Sequence, residues 1–321
     1  MSHPSGAFLD DVLAEPETLA RVLEAYGGSD SPLLAVGPVE ERRILFVGMG
    51  SSRYAALAAC PFLRAAGLDA AVEWASAERG TPPARDQLVV AISASGNTPE
   101  TVEAAQRHRG VGRVLALTND TESKLAGAAD VVLPLLAGAE AGGIACRTYQ
   151  STVAVLLLFC GRILQRADLA PDRLWAVPHA LRELHSSRSG WLDDAVGLLE
   201  GGAVDVVAPA ERVSSAEQSA LMLREAPRVR AAACETGDWL HVDVYLTKPP
   251  GYRAILFPGS RYDEDLFGWI EERGGTVVAV GRPTPRAAGS VTYPNAGDAA
   301  VDLLVETSAV ELIAAELWWR S

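Results

Sequence analysis

The chain has 321 residues, with 49% apolar and 21% charged side chains, a composition that supports substantial cores and room for two domains. Its net charge of −13 argues against nucleic acid and anionic membranes as partners, so an anionic small molecule would need local donors. No apolar run reaches the roughly 18 residues of a membrane span, and no cysteine or histidine pair has metal-ligand spacing, so neither a membrane nor a metal is expected.

In chain order, residues 7–26 carry Phe8, Val12, Leu13, Leu19, Val22 and Leu23 at helical spacing, with a break near Glu15-Pro16-Glu17. Glycine, serine and aspartate at 27–31 mark a loop. Alternation then begins. Strands are expected at 44–47, 88–92, 114–117 and 131–135, and helices at 55–63, 99–108, 122–128 and 148–164. Residues 165–190 read as a polar helical connection punctuated by Pro171 and Pro178. The pattern restarts with strands at 204–207, 254–257, 277–280 and 291–293, and helices at 215–225, 263–273 and 301–319. Short, uniformly apolar strands separated by helices predict parallel sheets covered on both faces, here as a duplicated α/β unit. Ser51-Ser52 and Ser214-Ser215 take comparable places in the two copies.

Ligands of such sheets bind beyond the carboxyl ends of strands. Two turns there have suitable chemistry. Gly48-Met49-Gly50-Ser51-Ser52-Arg53 follows the 44–47 strand, and Ser93-Ala94-Ser95-Gly96-Asn97-Thr98 follows the 88–92 strand and opens a helix at Pro99-Glu100. Small residues admit a ligand to the backbone, hydroxyls donate to phosphate oxygens, and a helix start adds unpaired N–H groups. The plainer alternative is that Thr98 only caps its helix. A dinucleotide fingerprint from Gly48-x-Gly50 and Glu73 is disfavoured because Arg53 stands where the third glycine belongs. A hydrolase elbow fails because 92–96 lacks the leading glycine. In the second copy, Ala208-Pro209-Ala210-Glu211 and Pro258-Gly259-Ser260-Arg261 are bulkier and lie near the acids Asp263 and Glu264, so that copy is expected to contribute something other than anion binding.

These residues resemble the sugar isomerase (SIS) domain family, nearest to the tandem-SIS isomerase portion of glucosamine-6-phosphate synthase and its stand-alone isomerase and deaminase relatives. Residues 8–17 resemble the family's opening segment, Gly50-Ser51-Ser52 its GTS turn, 93–98 its SQSGET turn and 138–142 its GPEIG stretch. Leu223-Arg224-Glu225 is similar to its LKE, and residues 237–241 to its GELKH. The resemblance implies two tandem SIS-type lobes of three-layer αβα form: a helical arm at 1–32, a phosphate-binding domain at 33–165, a linker at 166–192 and a catalytic domain at 193–321. It implies a phosphorylated sugar held by Ser51, Ser52, Ser93, Ser95 and Thr98, with backbone approach at Gly50 and Gly96. Glu225 would move a proton between C1 and C2, and His241 would assist ring opening from the neighbouring subunit of a homodimer. The residue-level alternatives are a solvated Glu225 at a helix end and a packed core His241.

The chain also departs from the family. Met222 stands for a lysine, Ala94 for a glutamine, Ala145 for a serine, and Val242 for the glycine after the histidine. A glutaminase domain and the lysine-bearing carboxyl-terminal tail are expected to be absent; Arg320, always charged, is no substitute for that lysine. The resulting expectation is a cytoplasmic phosphosugar aldose–ketose isomerase or aminosugar-phosphate deaminase without cofactor. The alternative is a non-catalytic phosphosugar-binding sensor.

Overall fold

A computed structural model describes residues 4–321. Two helices, α1 (Pro4–Leu13) and α2 (Glu15–Gly27), precede β1 (Arg43–Gly48), α3 (Ser51–Ala65), β2 (Asp69–Trp74), β3 (Gln87–Ile92) and α4 (Pro99–His108). Then follow β4 (Arg113–Thr118), α5 (Lys124–Ala128), β5 (Val131–Pro134), α6 (Arg147–Leu164), α7 (Pro171–Leu174), α8 (Ala176–Ser187) and α9 (Leu192–Leu199). The remainder is β6 (Val204–Ala208), α10 (Val213–Glu225), β7 (Ala231–Glu235), α11 (Thr236–Trp239), β8 (Arg253–Leu256), α12 (Asp263–Glu272), β9 (Thr276–Gly281), β10 (Gly289–Thr292) and α13 (Ala299–Arg320).

The chain divides into two compact units. The first holds Glu17–Ala139 and Arg147–Trp175; the second holds the described residues up to Pro16, Glu140–Cys146 and Ala176–Ser321. This differs from contiguous blocks. The expected arm at 1–32 is shared out, because α1 packs on α13 within the second unit while α2 from Glu17 onward belongs to the first. The expected linker at 166–192 is shared as well, at Trp175.

In the first unit a five-stranded sheet runs β2-β1-β3-β4-β5, every pairing parallel. Alternate residues of its central strands face opposite ways. Leu45, Val47, Val89, Ala91, Val114 and Ala116 meet Val102, Ala105 and Leu125 in one core. Ile44, Phe46, Leu88, Val90 and Leu115, of the opposite parity, are buried too. At roughly 1.5–3 kcal/mol per fully buried aliphatic side chain, these runs dominate the unit's stability.

The second unit repeats the topology. Its sheet runs β10-β9-β8-β6-β7, all parallel, which is the same order counted from β6. Leu256, Val207, Trp239, Phe267 and Ile270 build one core. Helix α13 is buried almost throughout, its polar Glu306, Thr307, Ser308 and Glu311 included. The 140–146 segment docks on α1: Gly142 N donates to Asp11 Oδ2 at 2.6 Å, and a Cβ at Gly142 would lie 2.7 Å from the Phe8 Cα. Phe8 also meets the Trp318 ring, centroids 6.4 Å apart.

Two strands escape the sequence pattern, β2 and β7. Both are edge strands that contain alanines, DAAVEW and AAACE, each only partly buried. Neither shows the continuous apolar run of a central strand nor a clean alternation.

Candidate functional site

In a sheet ordered β2-β1-β3-β4-β5 the chain reverses direction across the sheet between β1 and β3, and ligands bind outside that point. Strands β1 and β3 are neighbours, with Val47 opposite Ala91, so the turns that leave them start side by side.

The 93–98 turn is over-determined. Ser93 is 2% exposed; its N–H continues the ladder to Leu117 O at 3.1 Å, and its Oγ accepts Gly96 N–H at 3.1 Å. Gly96 has φ +66°, and a Cβ there would lie 2.0 Å from Ser123 Oγ and 2.8 Å from Thr118 Oγ1, so only glycine fits. Its carbonyl accepts Leu125 N–H at 2.9 Å. Ser95 is exposed, its Oγ accepting Asn97 N–H at 3.2 Å.

Thr98 occupies the N-cap of α4, yet its side chain makes no capping bond. The hydroxyl instead lies 2.9 Å from Ser93 Oγ. The capping alternative therefore does not describe this residue. The amides of the first turn of α4 keep no side-chain acceptor of their own, and Pro99 at N1 has no N–H to lose. That leaves a helix start without a side-chain cap beside two hydroxyls, the kind of place where anions bind.

At β1, Gly50 has φ +49° and serves as the N-cap of α3 without a side-chain acceptor. Ser51 and Ser52 form the first turn of α3, both half-buried. Arg53 lies over the Trp74 ring at 4.5 Å, and Trp74 is 58% exposed at the end of β2.

The corresponding point of the second unit, between β6 and β8, is filled from within. Arg212, 7% exposed, donates Nη2 to Pro258 O at 2.5 Å and pairs through Nη1 with the Glu306 carboxylate. Asp302 Oδ2 lies 3.6 Å away. Burial works against the Arg212 charge, but Glu306 and Asp302 outweigh it, so its pKa rises. Ser214 and Ser215, in the first turn of α10, are sealed at 0% exposure.

Glu225, the last residue of α10, is exposed overall. Partial desolvation of its carboxyl raises its pKa above the ordinary 4.5, with Arg224 pulling the other way. His241 is exposed, just after α11, and its N–H donates to Asp238 O at 2.9 Å. It is not the packed core histidine that its apolar neighbours suggest. Among the described residues no group of three or more His, Cys, Asp or Glu is placed to hold a metal ion, and no helix is long and apolar enough to cross a membrane.

Sequence reasoning passed over Arg21, Asn119 and Asp120, which line a cavity shared with Ser95 and Asn97. Asn119 and Asp120 follow β4 directly, so the carboxyl-end rule that singled out the two turns would have found them. Arg21, an exposed residue of α2, carries no such signal.

The doubly wound sheet of the first unit and its serine-rich turn at the switch point fall within residues 39–161, which match the model of the SIS domain. That stretch of the first unit is a SIS domain. A glutamine–fructose-6-phosphate aminotransferase (isomerizing) from Aeropyrum pernix is 30% identical over 288 residues, covering 85% of this chain and 46% of that protein. The chain spans about half the length of the curated relatives it matches. Among solved structures, the C-terminal domain of glucosamine-fructose-6-phosphate aminotransferase from Francisella tularensis superposes with a TM-score of 0.83 at 18% identity, covering 98% of this chain and 96% of that one. Tagatose-6-phosphate ketose/aldose isomerase from Escherichia coli gives 0.77 at 17% identity, covering 97% and 92%. At these identities the likeness is one of fold.

Proposed function

We propose that this chain is a phosphosugar aldose–ketose isomerase acting on a hexose or aminohexose 6-phosphate through an enediol or enediolamine, with aminosugar-phosphate deamination as the close variant. The observation that carries the proposal is the 93–98 turn, with the Ser93–Thr98 hydroxyl pair beside an uncapped helix start. The phosphate is assigned to Ser93, Ser95 and Thr98, with Ser51 and Ser52 at the adjacent turn and backbone approach at Gly50 and Gly96. Glu225 is assigned as the base that carries a proton between C1 and C2. Its raised pKa suits this role, because a base works best when its pKa approaches the working pH. His241 is assigned to ring opening.

The exposed His241 adjoins Val242, Tyr245 and Leu246, each more than half exposed, which is in keeping with a homodimer that covers this segment. Four buried free thiols fit a reducing compartment such as the cytoplasm.

One observation favours a second reading, a phosphosugar-binding sensor without catalysis: Glu225 and His241 are both solvent-exposed. Proton exchange at C2 of fructose 6-phosphate and glucosamine 6-phosphate in deuterated buffer separates the two. Loss of a general base costs about 10²–10⁴-fold, so Glu225→Gln is expected to abolish measurable exchange while phosphosugar binding persists. Binding without exchange in the wild type, or exchange unchanged by Glu225→Gln, would overturn the isomerase reading.

A further inference from the structure

Beside the 93–98 turn, the first unit carries an open cavity of about 730 Å³, within the usual range for a small-molecule site. Its walls include Ser95 and Asn97 of the turn, Asn119 and Asp120 after β4, Leu136 after β5, and Arg21 of α2. The amide side chains serve the fold, and each of the two charged groups is held by one hydrogen bond. Asn119 is spent on structure, its Nδ2 donating to Thr148 Oγ1 at 3.3 Å and its Oδ1 accepting Ala137 N–H at 3.0 Å. Asn97 donates Nδ2 to Ser95 O at 2.9 Å, and its Oδ1 accepts Lys124 N–H at 3.4 Å. Asp120 is exposed, and its Oδ1 accepts Glu122 N–H at 2.9 Å within its own loop.

Arg21 carries the charge opposite to that of Asp120. It is the one cation among the described lining residues, and its Nη2 donates to Thr18 Oγ1 at 3.1 Å. The 93–98 turn is built from neutral hydroxyls and amides, and Arg21 lines the same cavity as its Ser95 and Asn97. On a protein of net charge −13, a guanidinium in a cavity wall is a specific device, and its planar fork fits a carboxylate in bidentate fashion.

We propose that this cavity selects a sugar phosphate bearing a second acid group, a carboxylate, which Arg21 pairs while the 93–98 turn holds the phosphate. The inference rests on the phosphate role assigned to that turn. Arg21 is thus a specificity-determining residue on an exposed face of α2, where substitution leaves the core untouched.

Titration calorimetry with 6-phosphogluconate, fructose 6-phosphate, glucosamine 6-phosphate and inorganic phosphate tests this, on the wild type, Arg21→Gln and Arg21→Lys. Charge-assisted bidentate pairs being about twice as strong as neutral ones, 6-phosphogluconate is expected to bind about tenfold or more tighter than fructose 6-phosphate. Arg21→Gln should erase that preference and Arg21→Lys restore part of it, with fructose 6-phosphate nearly unaffected. Several outcomes overturn the inference while leaving the phosphate turn standing. They are equal binding of both sugars by the wild type, an equal loss of both in Arg21→Gln, or a preference for glucosamine 6-phosphate that depends on Asp120. Binding of none of the four, inorganic phosphate included, overturns the proposed function and this inference with it.

Discussion

The two units lay down the same five-stranded order and reach the same switch point with opposite results. Between β1 and β3 the turns are small, the hydroxyls of Ser93 and Thr98 face each other, and the start of α4 has no side-chain cap. Between β6 and β8 the space holds Arg212, whose charge is met by Glu306 and Asp302 of α13. Even the paired serines diverge, Ser51 and Ser52 half-buried and Ser214 and Ser215 sealed. The lesson is that topology supplies the position of a site, while side-chain size and charge decide whether it stays open to a ligand. In the second unit the protein's own guanidinium fills that position and brings its counter-charges with it.

The comparison can be pressed hardest at Arg212. Removing one partner of a buried ion pair costs about 3–5 kcal/mol, whereas replacing both with apolar residues is often neutral. Arg212→Met should therefore lower stability by that amount in denaturant titration, and Arg212→Met/Glu306→Leu should recover much of it. A single variant as stable as the wild type would mean the plug holds nothing. In the first unit, Gly96→Ala combines a left-handed backbone with overpacking against Ser123 and should cost about 2–4 kcal/mol along with phosphate binding. Gly50→Ala shares the positive φ but meets nothing within 4 Å, so strain alone, about 1–2 kcal/mol, is expected. Equal costs at the two glycines would show that the clamp around Gly96 is unimportant.

The smallest effect concerns pH. In the proposed role Glu225 would act as a base only when ionised, so activity should be present above its raised pKa and fall as pH drops through it. Arg224→Gln removes the opposing charge and should move the acid limb of kcat/KM upward by less than about one unit. A downward move would refute the assignment.

Much of this was legible in the residues. RILFVG and QLVVAI are nearly continuous apolar runs because both faces of a central parallel strand are buried, and that alone announces β1 and β3. The small residues after β3 announced the turn that opens α4. What stayed hidden depended on distance along the chain or on weak patterning. The alanine-rich edges β2 and β7 bury too little to leave a period. Arg212 meets Glu306 across 94 positions and Pro258 across 46, and no local pattern encodes such a contact. The clamp on Gly96 by Ser123 is likewise tertiary. That Thr98 would turn its hydroxyl to Ser93 rather than cap α4 could not be read from either residue alone.

The pairing of α1 with α13 has a kinetic consequence. These helices belong to one unit yet lie at opposite extremes of the described chain, so their contact closes a loop of almost its whole length. Loop-closure entropy grows slowly with length, but it must be met before such a contact returns any energy. During synthesis, the strands and helices of the first unit emerge with their own partners close behind them. Helix α1 leaves the ribosome early and waits for α13, its apolar Phe8 and Val12 uncovered in the meantime. Among the described residues the second unit therefore closes after the first, and the apolar face of α1 stays uncovered until α13 arrives.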